Sequence, residues 1–433
     1  MAVRRTRGQA GAGTRGRAAA ARGKAPAPGA RARRTPAFRG NALIGQSGGP
    51  TAVINQSLVG IVLEARAHRD VIGRVFGARH GVAGILKDDL LDLGRESAAV
   101  LERVAGTPAA ALGSVRKKPT REECLAMFDN FRKHDIRFLF YIGGNDSAET
   151  ADILLQCARE QQHDLRVFHV PKTIDNDLRV TDHCPGYGSA AKFVAQAFLG
   201  DDLDNRSLKG IKVNVVMGRH AGFLTAASVL ARTAPDDGPH LVYVPEVAFD
   251  ERRFVADVLA VNARLGRCVV AVSEGVHDEA GLTVAETLAA RAERDAHGNV
   301  QLSGSGALGD HLAGLIRAAL PKARVRADTF GYLQRSYAGV WSASDAREAR
   351  LVGRDAVRYA LKETSGTVVL QRAPGRTYRC RTALAPLHEV AKLTKPMPRA
   401  WINAAGNDIT QAFRDYAAPL AGPLHPVARL RGT

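Results

Sequence analysis

The feature that most constrains this chain is a repeated unit, in which a short apolar run ends in glycine or polar residues and a stretch with helical spacing follows. "NALIGQSGG" is followed by "TAVINQSLVGIVLEAR", "IRFLFYIGG" by "DSAETADILLQCARE", and "GIKVNVVMG" by "FLTAASVLAR". "LRVFHVP", "HLVYVPE" and "RCVVAVSEG" are further runs of the same kind. This alternation predicts an α/β fold with mainly parallel sheets, covered by helices on both faces.

Length and cysteine usage narrow the class of protein. The 433 residues suffice for two domains with sizeable cores. No apolar run approaches the ~18 to 20 residues needed to cross a bilayer, so we expect no membrane span. The five cysteines are scattered, which disfavours a zinc site or a disulfide framework and favours a reducing cytoplasm.

The positive charge is concentrated at the amino terminus. Of a net charge of +18, residues 1–40 carry +11, which leaves +7 for the rest of the chain. This segment is rich in Ala, Arg and Gly and lacks apolar periodicity, so we predict a disordered basic tail. It lacks the apolar core of a secretory signal, and it could contact polyanions non-specifically. Residues 421–433 are predicted to be a second, shorter tail.

The first polar cluster at a predicted strand end is "GQSGGPTAVIN". Gly48 and Gly49 end the strand, and Thr51 is predicted to begin a helix after Pro50. Outward-pointing amides at such a junction suit a phosphate group. Taken alone, a glycine pair before a helix is more often a structural turn.

"GGNDSAET" repeats this arrangement about a hundred residues later. The structural interpretation is a helix start, with Asp146 as N-cap and Glu149 completing a capping box. That interpretation explains the two acids but not the two glycines. It also leaves open why a carboxylate should stand in a gap shaped for phosphate.

The third cluster, "PKTIDNDLRVTDHCPGYGSAAK", follows the apolar run "VFHV". Asp175 and Asp177 lie two apart, so an extended backbone would aim both the same way. Lys172 and Thr173 come just before them. A cation, a hydroxyl and two carboxylates within six residues are the groups that phosphoryl transfer requires.

Three further clusters, "VVMGRHAG", "VAVSEGVHD" and "ADTFGYLQRS", supply the groups that a sugar phosphate needs. The guanidinium groups of Arg219 and Arg335 suit phosphate oxygens, and the carboxylate of Glu274 suits sugar hydroxyls. We therefore expect an acceptor pocket beside the third cluster. Because parallel sheets bind ligands at the carboxyl ends of their strands, all these clusters are predicted to form one site.

Taken together, "SGGP", "GGNDS", "PKTIDND", "MGRHAG", "SEG" and "FGYLQR" in this order resemble the phosphofructokinase family over roughly residues 41–400. The resemblance implies two three-layer domains with the active site in the cleft between them. It assigns residues 41–185 plus about 332–420 to a phosphoryl-donor domain and residues 186–331 to a sugar-phosphate domain. It also implies Mg²⁺ and a homodimer or homotetramer.

Two positions indicate which donor is used. ATP-dependent members of the family carry glycine as the fourth residue of "GGDGS" and the second of "PGTIDND", where this chain has Asp146 and Lys172. The resemblance implies that Asp146 fills the space, and repels the charge, of the α-phosphate of ATP. Lys172 would neutralise the shorter donor, pyrophosphate. The implied reaction converts fructose 6-phosphate and pyrophosphate to fructose 1,6-bisphosphate and phosphate, reversibly.

Residue roles follow from the same resemblance. Asp175 matches the general base and belongs with Lys172 and Asp146 to the catalytic group, while Gly48, Gly49 and Arg116 match the donor site. The contacts to fructose 6-phosphate are assigned to a larger set: Thr173, Ile174, Asp175, Asp177, Met217, Gly218, Arg219, Glu274, Arg326, Tyr332 and Arg335. The metal position holds Asn145 where the family usually has an aspartate.

Three alternatives remain open. The chain could be an ATP-dependent phosphofructokinase in which Asp146 swings aside. It could be a nucleic-acid-binding protein acting through its basic tail, although the folded part lacks aromatic residues interleaved with basic ones, so nucleic acid is not the expected partner. A nicotinamide dehydrogenase would need a GxGxxG turn between a strand and a helix, and none of the six motifs has that pattern.

Overall fold

A computed structural model describes residues 38–292, 306–375, 377–391 and 393–430 of the chain. The predicted amino-terminal tail lies almost wholly outside these residues. The first strand begins at Gly40, and just before it the ring of Phe38 packs edge-on against Phe138, with centroids 5.1 Å apart. No helix of the described ranges combines the length and apolar character that crossing a bilayer demands.

The described residues contain eleven strands, which we number in chain order. They are β1 (Gly40–Gln46), β2 (Ile72–Ala78), β3 (Leu90–Asp92), β4 (Ile136–Gly143), β5 (Arg166–Pro171), β6 (Ile211–Val216), β7 (Leu241–Tyr243), β8 (Cys268–Ser273), β9 (Val325–Thr329), β10 (Ser365–Arg372) and β11 (Cys380–Ala385).

The same residues form fourteen α-helices. They are α1 (Ile54–Ala67), α2 (Val82–Lys87), α3 (Ala98–Ala105), α4 (Arg121–Lys133), α5 (Asn145–Glu160), α6 (Tyr187–Ser207), α7 (Phe223–Ala226), α8 (Glu251–Leu265), α9 (Val284–Ala292), α10 (Ala307–Ala319), α11 (Leu333–Ser336), α12 (Ala343–Ala360), α13 (Leu387–Val390) and α14 (Gln411–Ala421). Short 3₁₀ turns lie at Leu93–Arg95, Ala227–Ala231 and Arg399–Trp401.

The strands form two sheets. The seven-stranded sheet has the order β11-β10-β5-β4-β1-β2-β3, in which the five central strands are parallel and the two edge strands are antiparallel. The four-stranded sheet has the order β7-β8-β6-β9 and is wholly parallel. All four of its strands lie between β5 and β10 in the chain. The predicted α/β class with mainly parallel sheets is confirmed.

Both sheets are covered by helices on both faces, because successive apolar side chains of a strand point to opposite sides. On the seven-stranded sheet, Ile44 packs with α1 and α12, whereas its neighbour Leu43 packs with α4 and α5. On the four-stranded sheet, Val270 packs with α8 and α10, whereas Val269 packs with α6 and α14. Helix α14, assigned above to the donor domain, therefore shares the core of the four-stranded sheet, and the predicted domain ranges stay a prediction.

Two predicted helix starts are wrong by a few residues. Helix α1 begins at Ile54 and not at Thr51, because the carbonyl oxygen of Thr51 accepts the amide of Ala109 (3.1 Å) instead of a helical partner. Helix α5 has Gly144 as its N-cap, and the amides of the first turn close on the Gly144 carbonyl. Asp146 is thus not the cap. It lies in the first turn, so its side chain is left for another contact.

Candidate active site

A cleft of about 640 Å³ opens where the neighbouring strands β5, β4 and β1 end. The loops that follow these three strands line it, together with residues 115–118, His220, Arg335 and Thr394. Eleven of the predicted site residues lie on its wall: Gly48, Gly49, Arg116, Asn145, Asp146, Lys172, Thr173, Ile174, Asp175, Asp177 and Arg335.

The glycine turn after β1 makes room for two cations. Gly48 has a φ of +76°, and a Cβ at this position would lie 3.2 Å from Nζ of Lys172. A Cβ on Gly49 would lie 3.1 Å from Cζ of Arg335. The amide of Gly48, expected to face a phosphate, instead donates to the carbonyl oxygen of Val115 (3.1 Å). The glycines therefore leave room for side-chain cations, and the Gly48 amide is not available to bind a phosphate.

Residues 114–115 are fixed to the same turn by further hydrogen bonds. The hydroxyl of Ser47 donates to the carbonyl oxygen of Val115 (3.1 Å), and that of Ser114 to the carbonyl oxygen of Gly48 (2.5 Å). The next residue, Arg116, consequently enters the cleft wall.

Lys172 is the buried cation at the inner end of the cleft. Its side chain is folded against the glycine turn, where Nζ donates to the carbonyl oxygen of Gly49 (2.7 Å), and only 3% of the residue is exposed. Burial lowers the pKa of Lys172 to about 8, against the opposing charge of Asp175; Arg335 and Arg116 lower it further. The site thus holds an ammonium group that loses its proton as the pH rises through about 8.

Two carboxylates face this cation from the loop after β5. Burial raises the pKa of Asp175, while the positive charges of Arg335 and Lys172 oppose the rise. Burial and then the charge of Asp175 raise the pKa of Asp177 to about 6. The two carboxyl groups disfavour each other's ionisation, and the nearby cations oppose that effect.

Asn176 fixes the loop between the two aspartates. Its backbone is left-handed, with φ +59°, so the extended backbone expected from the sequence is not what aligns the two acids. Its side chain points away from the cleft, where Nδ2 donates to the hydroxyl of Tyr416 (2.8 Å) and Oδ1 accepts the amide of Cys184 (3.0 Å). The turn is therefore held from behind, and both carboxylates reach the cleft.

Asn145 and Asp177 form a pair of oxygen donors. The amide Nδ2 of Asn145 donates to Oδ2 of Asp177 (3.1 Å), while Oδ1 of Asn145 is buried without a hydrogen-bond partner. A buried polar atom left unpaired is costly unless a ligand satisfies it. An amide oxygen beside a carboxylate is the donor set that hard divalent cations prefer, so these residues fit a metal such as Mg²⁺.

At the outer end of the cleft, Asp146 is largely exposed, with 82% of its side chain accessible to solvent. Its carboxylate pairs with Nζ of Lys118 (3.1 Å), which also pairs with Glu149 (2.6 Å). The negative charge expected to repel a longer donor is thus partly neutralised. The volume of the side chain remains in the cleft.

The residues assigned to the sugar lie beside this cleft, on loops after β6, β8 and β9. The amide of Met217 donates to Gln334 (3.4 Å), and the carbonyl oxygen of Gly218, a residue with φ +141°, accepts the hydroxyl of Ser273 (2.6 Å). Arg219 follows directly in the same loop. The guanidinium of Arg335 lies over the ring of Tyr332, 4.4 Å from its centroid.

Glu274 links this second group to the first. Its amide donates to the carbonyl oxygen of Val216 (2.9 Å), which holds it at the end of β6. Burial raises the pKa of Glu274, and the charge of Asp175 raises it further, against Arg219 and Arg335. Glu274 is therefore near enough to Asp175 and Arg335 for their charges to act on it.

Arg326, another predicted residue, lies neither on the cleft wall nor on the loops that carry the other sugar-binding residues. It is exposed, lies within β9 opposite Lys212, and stands three residues before the strand end at Thr329. Three residues of a strand span about 10 Å. Its guanidinium donates to the carbonyl oxygen of the adjacent Val325 (3.1 Å).

Several residues that were not predicted from the sequence also support the site. The carboxylate oxygen Oε1 of Glu246 accepts the amides of Gly222 (2.8 Å) and Met397 (2.9 Å), and the amide of Lys395 donates to the carbonyl oxygen of Asp177 (2.7 Å). Lys118 was also missed, although the two lysines after Arg116 in "GSVRKKP" were a visible signal. His220, inside "MGRHAG", was another.

Comparisons with known proteins agree with this geometry. A family model described as Phosphofructokinase matches residues 41–360. The chain is 52% identical over 396 residues to the pyrophosphate–fructose 6-phosphate 1-phosphotransferase of Rhodospirillum rubrum, covering 91% of this chain and 97% of the relative. It is 41% identical to the enzyme of the same name from Xanthomonas campestris, with 90% and 93% covered. The crystal structure of a pyrophosphate-dependent phosphofructokinase from Marinobacter aquaeolei superposes with a TM-score of 0.79 at 35% identity, covering 91% and 94%.

Proposed function

The chain belongs to the phosphofructokinase family, and from that premise we propose that it transfers a phosphoryl group from pyrophosphate to the 1-hydroxyl group of fructose 6-phosphate. The products are fructose 1,6-bisphosphate and phosphate. The observation that carries the donor assignment is the pair of charged side chains along one cleft: Lys172 buried against Gly49 at the inner end, and Asp146 across the outer end. Relatives that share most of this chain are named for the same reaction.

In the forward reaction Asp175 accepts the proton of the sugar 1-hydroxyl. The oxygen then forms a bond to the terminal phosphorus of pyrophosphate, and the bond from that phosphorus to the bridging oxygen breaks. Burial raises the pKa of Asp175, which makes its carboxylate a stronger base, while the positive charges of Arg335 and Lys172 oppose the rise. Because the leaving group is simple phosphate, we expect the reaction to run readily in both directions.

Positive charge at the inner end stabilises the transferring group. The ammonium of Lys172 lies where Gly48 leaves space, because a Cβ there would lie 3.2 Å from Nζ, and it can meet the phosphate oxygens of the donor. Arg116 lies on the same wall and supplies a guanidinium to the donor. The donor therefore binds against side-chain cations.

A divalent metal, which we propose is Mg²⁺, would be held by Asn145 and Asp177. The unpaired Oδ1 of Asn145 and the carboxylate of Asp177 are the oxygen ligands for it. When bound, the metal would neutralise charge on the phosphate oxygens during transfer. Asn145 contributes no charge of its own, so Asp177 is the charged ligand.

The sugar phosphate would be bound by residues on the loops after β6, β8 and β9. Glu274 would accept hydrogen bonds from sugar hydroxyls, and Arg335, stacked on Tyr332, would bind the 6-phosphate. The loop of Met217, Gly218 and Arg219 would line the remaining wall, together with Thr173 and Ile174 of the loop after β5. The homodimer or homotetramer expected from the family stays a prediction.

The alternative donor is ATP, and the exposure of Asp146 favours testing it, because an exposed side chain can rotate. Full-length protein is assayed for fructose 1,6-bisphosphate formation with pyrophosphate, ATP or inorganic polyphosphate, each with Mg²⁺. We expect turnover with pyrophosphate and a kcat/KM for ATP that is lower by at least about tenfold, which corresponds to 1.4 kcal/mol. Turnover with ATP and none with pyrophosphate would overturn the donor assignment.

A further inference from the structure

At the outer end of the cleft, one lysine forms ion pairs with two carboxylates, and the three residues come from two different segments. Lys118 comes from the segment before α4, and Asp146 and Glu149 belong to the first turns of α5. The ammonium lies 3.1 Å from one carboxylate and 2.6 Å from the other. All three residues line the cleft. Lys118 therefore bridges the segment before α4 to the first turns of α5.

Lys118 is fixed from both sides along the chain. Four residues earlier, Ser114 is bonded to the glycine turn after β1. Two residues later, Thr120 caps α4 in a capping box with Glu123, in which each side chain accepts the other's amide. A segment this short between two anchors has little freedom, so the ammonium is presented at a defined position.

Lys118 belongs to a different charge group from Lys172. The pKa of Lys118 is raised by the hydrogen bonds that its ammonium donates to Glu149 and Asp146, so it stays charged at neutral pH. The pKa of Lys172 responds instead to burial and to Asp175, among other inner residues. The cleft thus has two centres of positive charge, of which only the inner one faces the reacting carboxylates.

Asp146 needs such a partner to act as a barrier. With 82% of its side chain exposed, an aspartate here would sample several rotamers, and some of them would leave the cleft open. Pairing with Lys118, which Glu149 steadies, confines the carboxylate to the position across the outer end. A barrier that depends on volume is effective only when it is held in place.

We propose that Lys118 is a positioning residue that sets the length of the phosphoryl donor, by holding Asp146 across the cleft so that donors with more than two phosphorus atoms are excluded. The inference rests on the proposed use of pyrophosphate. It differs from a direct role in binding the donor, because Lys118 then acts only through Asp146.

The test compares inorganic tripolyphosphate with pyrophosphate, since tripolyphosphate is longer but has no adenosine. In Lys118→Met we expect the ratio of kcat/KM for tripolyphosphate to that for pyrophosphate to rise by about three- to tenfold, the range expected for losing two partly exposed ion pairs. Lys118→Arg, which preserves the pairing, should stay within about twofold of wild type. Arg121→Met is the matched control, because it also removes an ion pair to α5, with Glu160, but lies outside the cleft.

A double-mutant cycle separates positioning from direct contact. Asp146→Gly alone should raise the ratio, and adding Lys118→Met to it should cause no further rise, because the residue that Lys118 holds is gone. A fully additive second rise would overturn the proposal, and so would an equal loss of kcat/KM with both donors in Lys118→Met. If wild-type protein does not use pyrophosphate, the proposed function fails. If it does and the ratio stays unchanged in Lys118→Met, this inference alone fails.

Discussion

The two ends of the cleft are built differently. At the inner end Lys172 and Asp177 are buried, and loss of water shifts both pKa values toward neutrality. At the outer end Asp146 and Lys118 are 82% and 48% exposed and pair in water. Buried charges are stable only as a mutually compensating set, whereas exposed ion pairs contribute little each. Catalysis and binding of the donor therefore depend on buried residues such as Lys172, whereas the exclusion of longer donors depends on exposed residues that tolerate single replacement.

The largest effect should come from removing the proposed general base, Asp175, at the inner end of the cleft. We expect Asp175→Asn to lower kcat by about 10²- to 10⁴-fold, because the amide cannot accept the hydroxyl proton. Steady-state rates with pyrophosphate measure this. The control is Asp70→Asn, an exposed carboxylate at the opposite end of the seven-stranded sheet, just before β2, which should leave kcat unchanged. A kcat within a few-fold of wild type in Asp175→Asn would place the base elsewhere.

The next largest effect tests the space that the glycine turn keeps open. A Cβ on Gly49 would press on the guanidinium of Arg335, at 3.1 Å, so Gly49→Ala should lower kcat/KM by up to ~10²-fold through misplacement of that group. The comparison variant is Gly314→Ala in α10, where nothing lies within 4 Å of the added Cβ. It should keep full activity. Equal activity in both variants would show that the turn has room to spare.

A smaller effect follows from the pKa of Lys172. Its ammonium is present below about pH 8 and is lost as the pH rises through that value, so kcat/KM for pyrophosphate should fall by about tenfold per pH unit above pH 8. A pH profile between 7 and 10 measures the fall. In Lys172→Arg the guanidinium stays charged, and the fall near pH 8 should disappear even if the overall rate is lower. A fall that persists in this variant would belong to another group.

The smallest effect concerns the donor ratio. Replacing Asp146 and Lys172 together by glycine introduces the residues that ATP-dependent members of the family carry. This double variant should raise the ratio of kcat/KM for ATP to that for pyrophosphate by about tenfold, or 1.4 kcal/mol. Competition assays with both donors measure the ratio directly. Lys172→Gly alone serves as the control, because it removes the inner cation and leaves the outer barrier. If the double variant behaves like this control, the volume of Asp146 does not exclude ATP.

Most of the central framework could be predicted from the sequence. The strands β1, β4, β5 and β6 have continuous apolar runs that end in glycine or polar residues, and this pattern is strong because each run is buried on both faces. Their order in the sheets also places the polar clusters at adjoining carboxyl ends. That is why the clusters meet in one cleft.

The edges of the fold and the outer end of the cleft could not be predicted in the same way. Strand β3 has three residues and pairs on one side only, so its sequence is too short to show an alternation of apolar and polar residues. The role of Lys118 depends on a contact with Asp146 that crosses α4 and β4 in the chain. Likewise, the amide of Gly48 is taken by Val115, a partner 67 residues away that no local pattern indicates.

The carboxylate of Glu246 has a consequence for how the two substrates influence one another. It accepts hydrogen bonds from the amide of Gly222, in the loop before α7, and from the amide of Met397. Two residues before Met397, the amide of Lys395 donates to the carbonyl oxygen of Asp177, in the loop after β5. Both loops are thus tied to the same few residues of chain, and neither can shift without straining the other. We therefore expect a substrate that orders one loop to change the affinity for the other substrate, and thermodynamic linkage requires that change to be equal in either order of arrival.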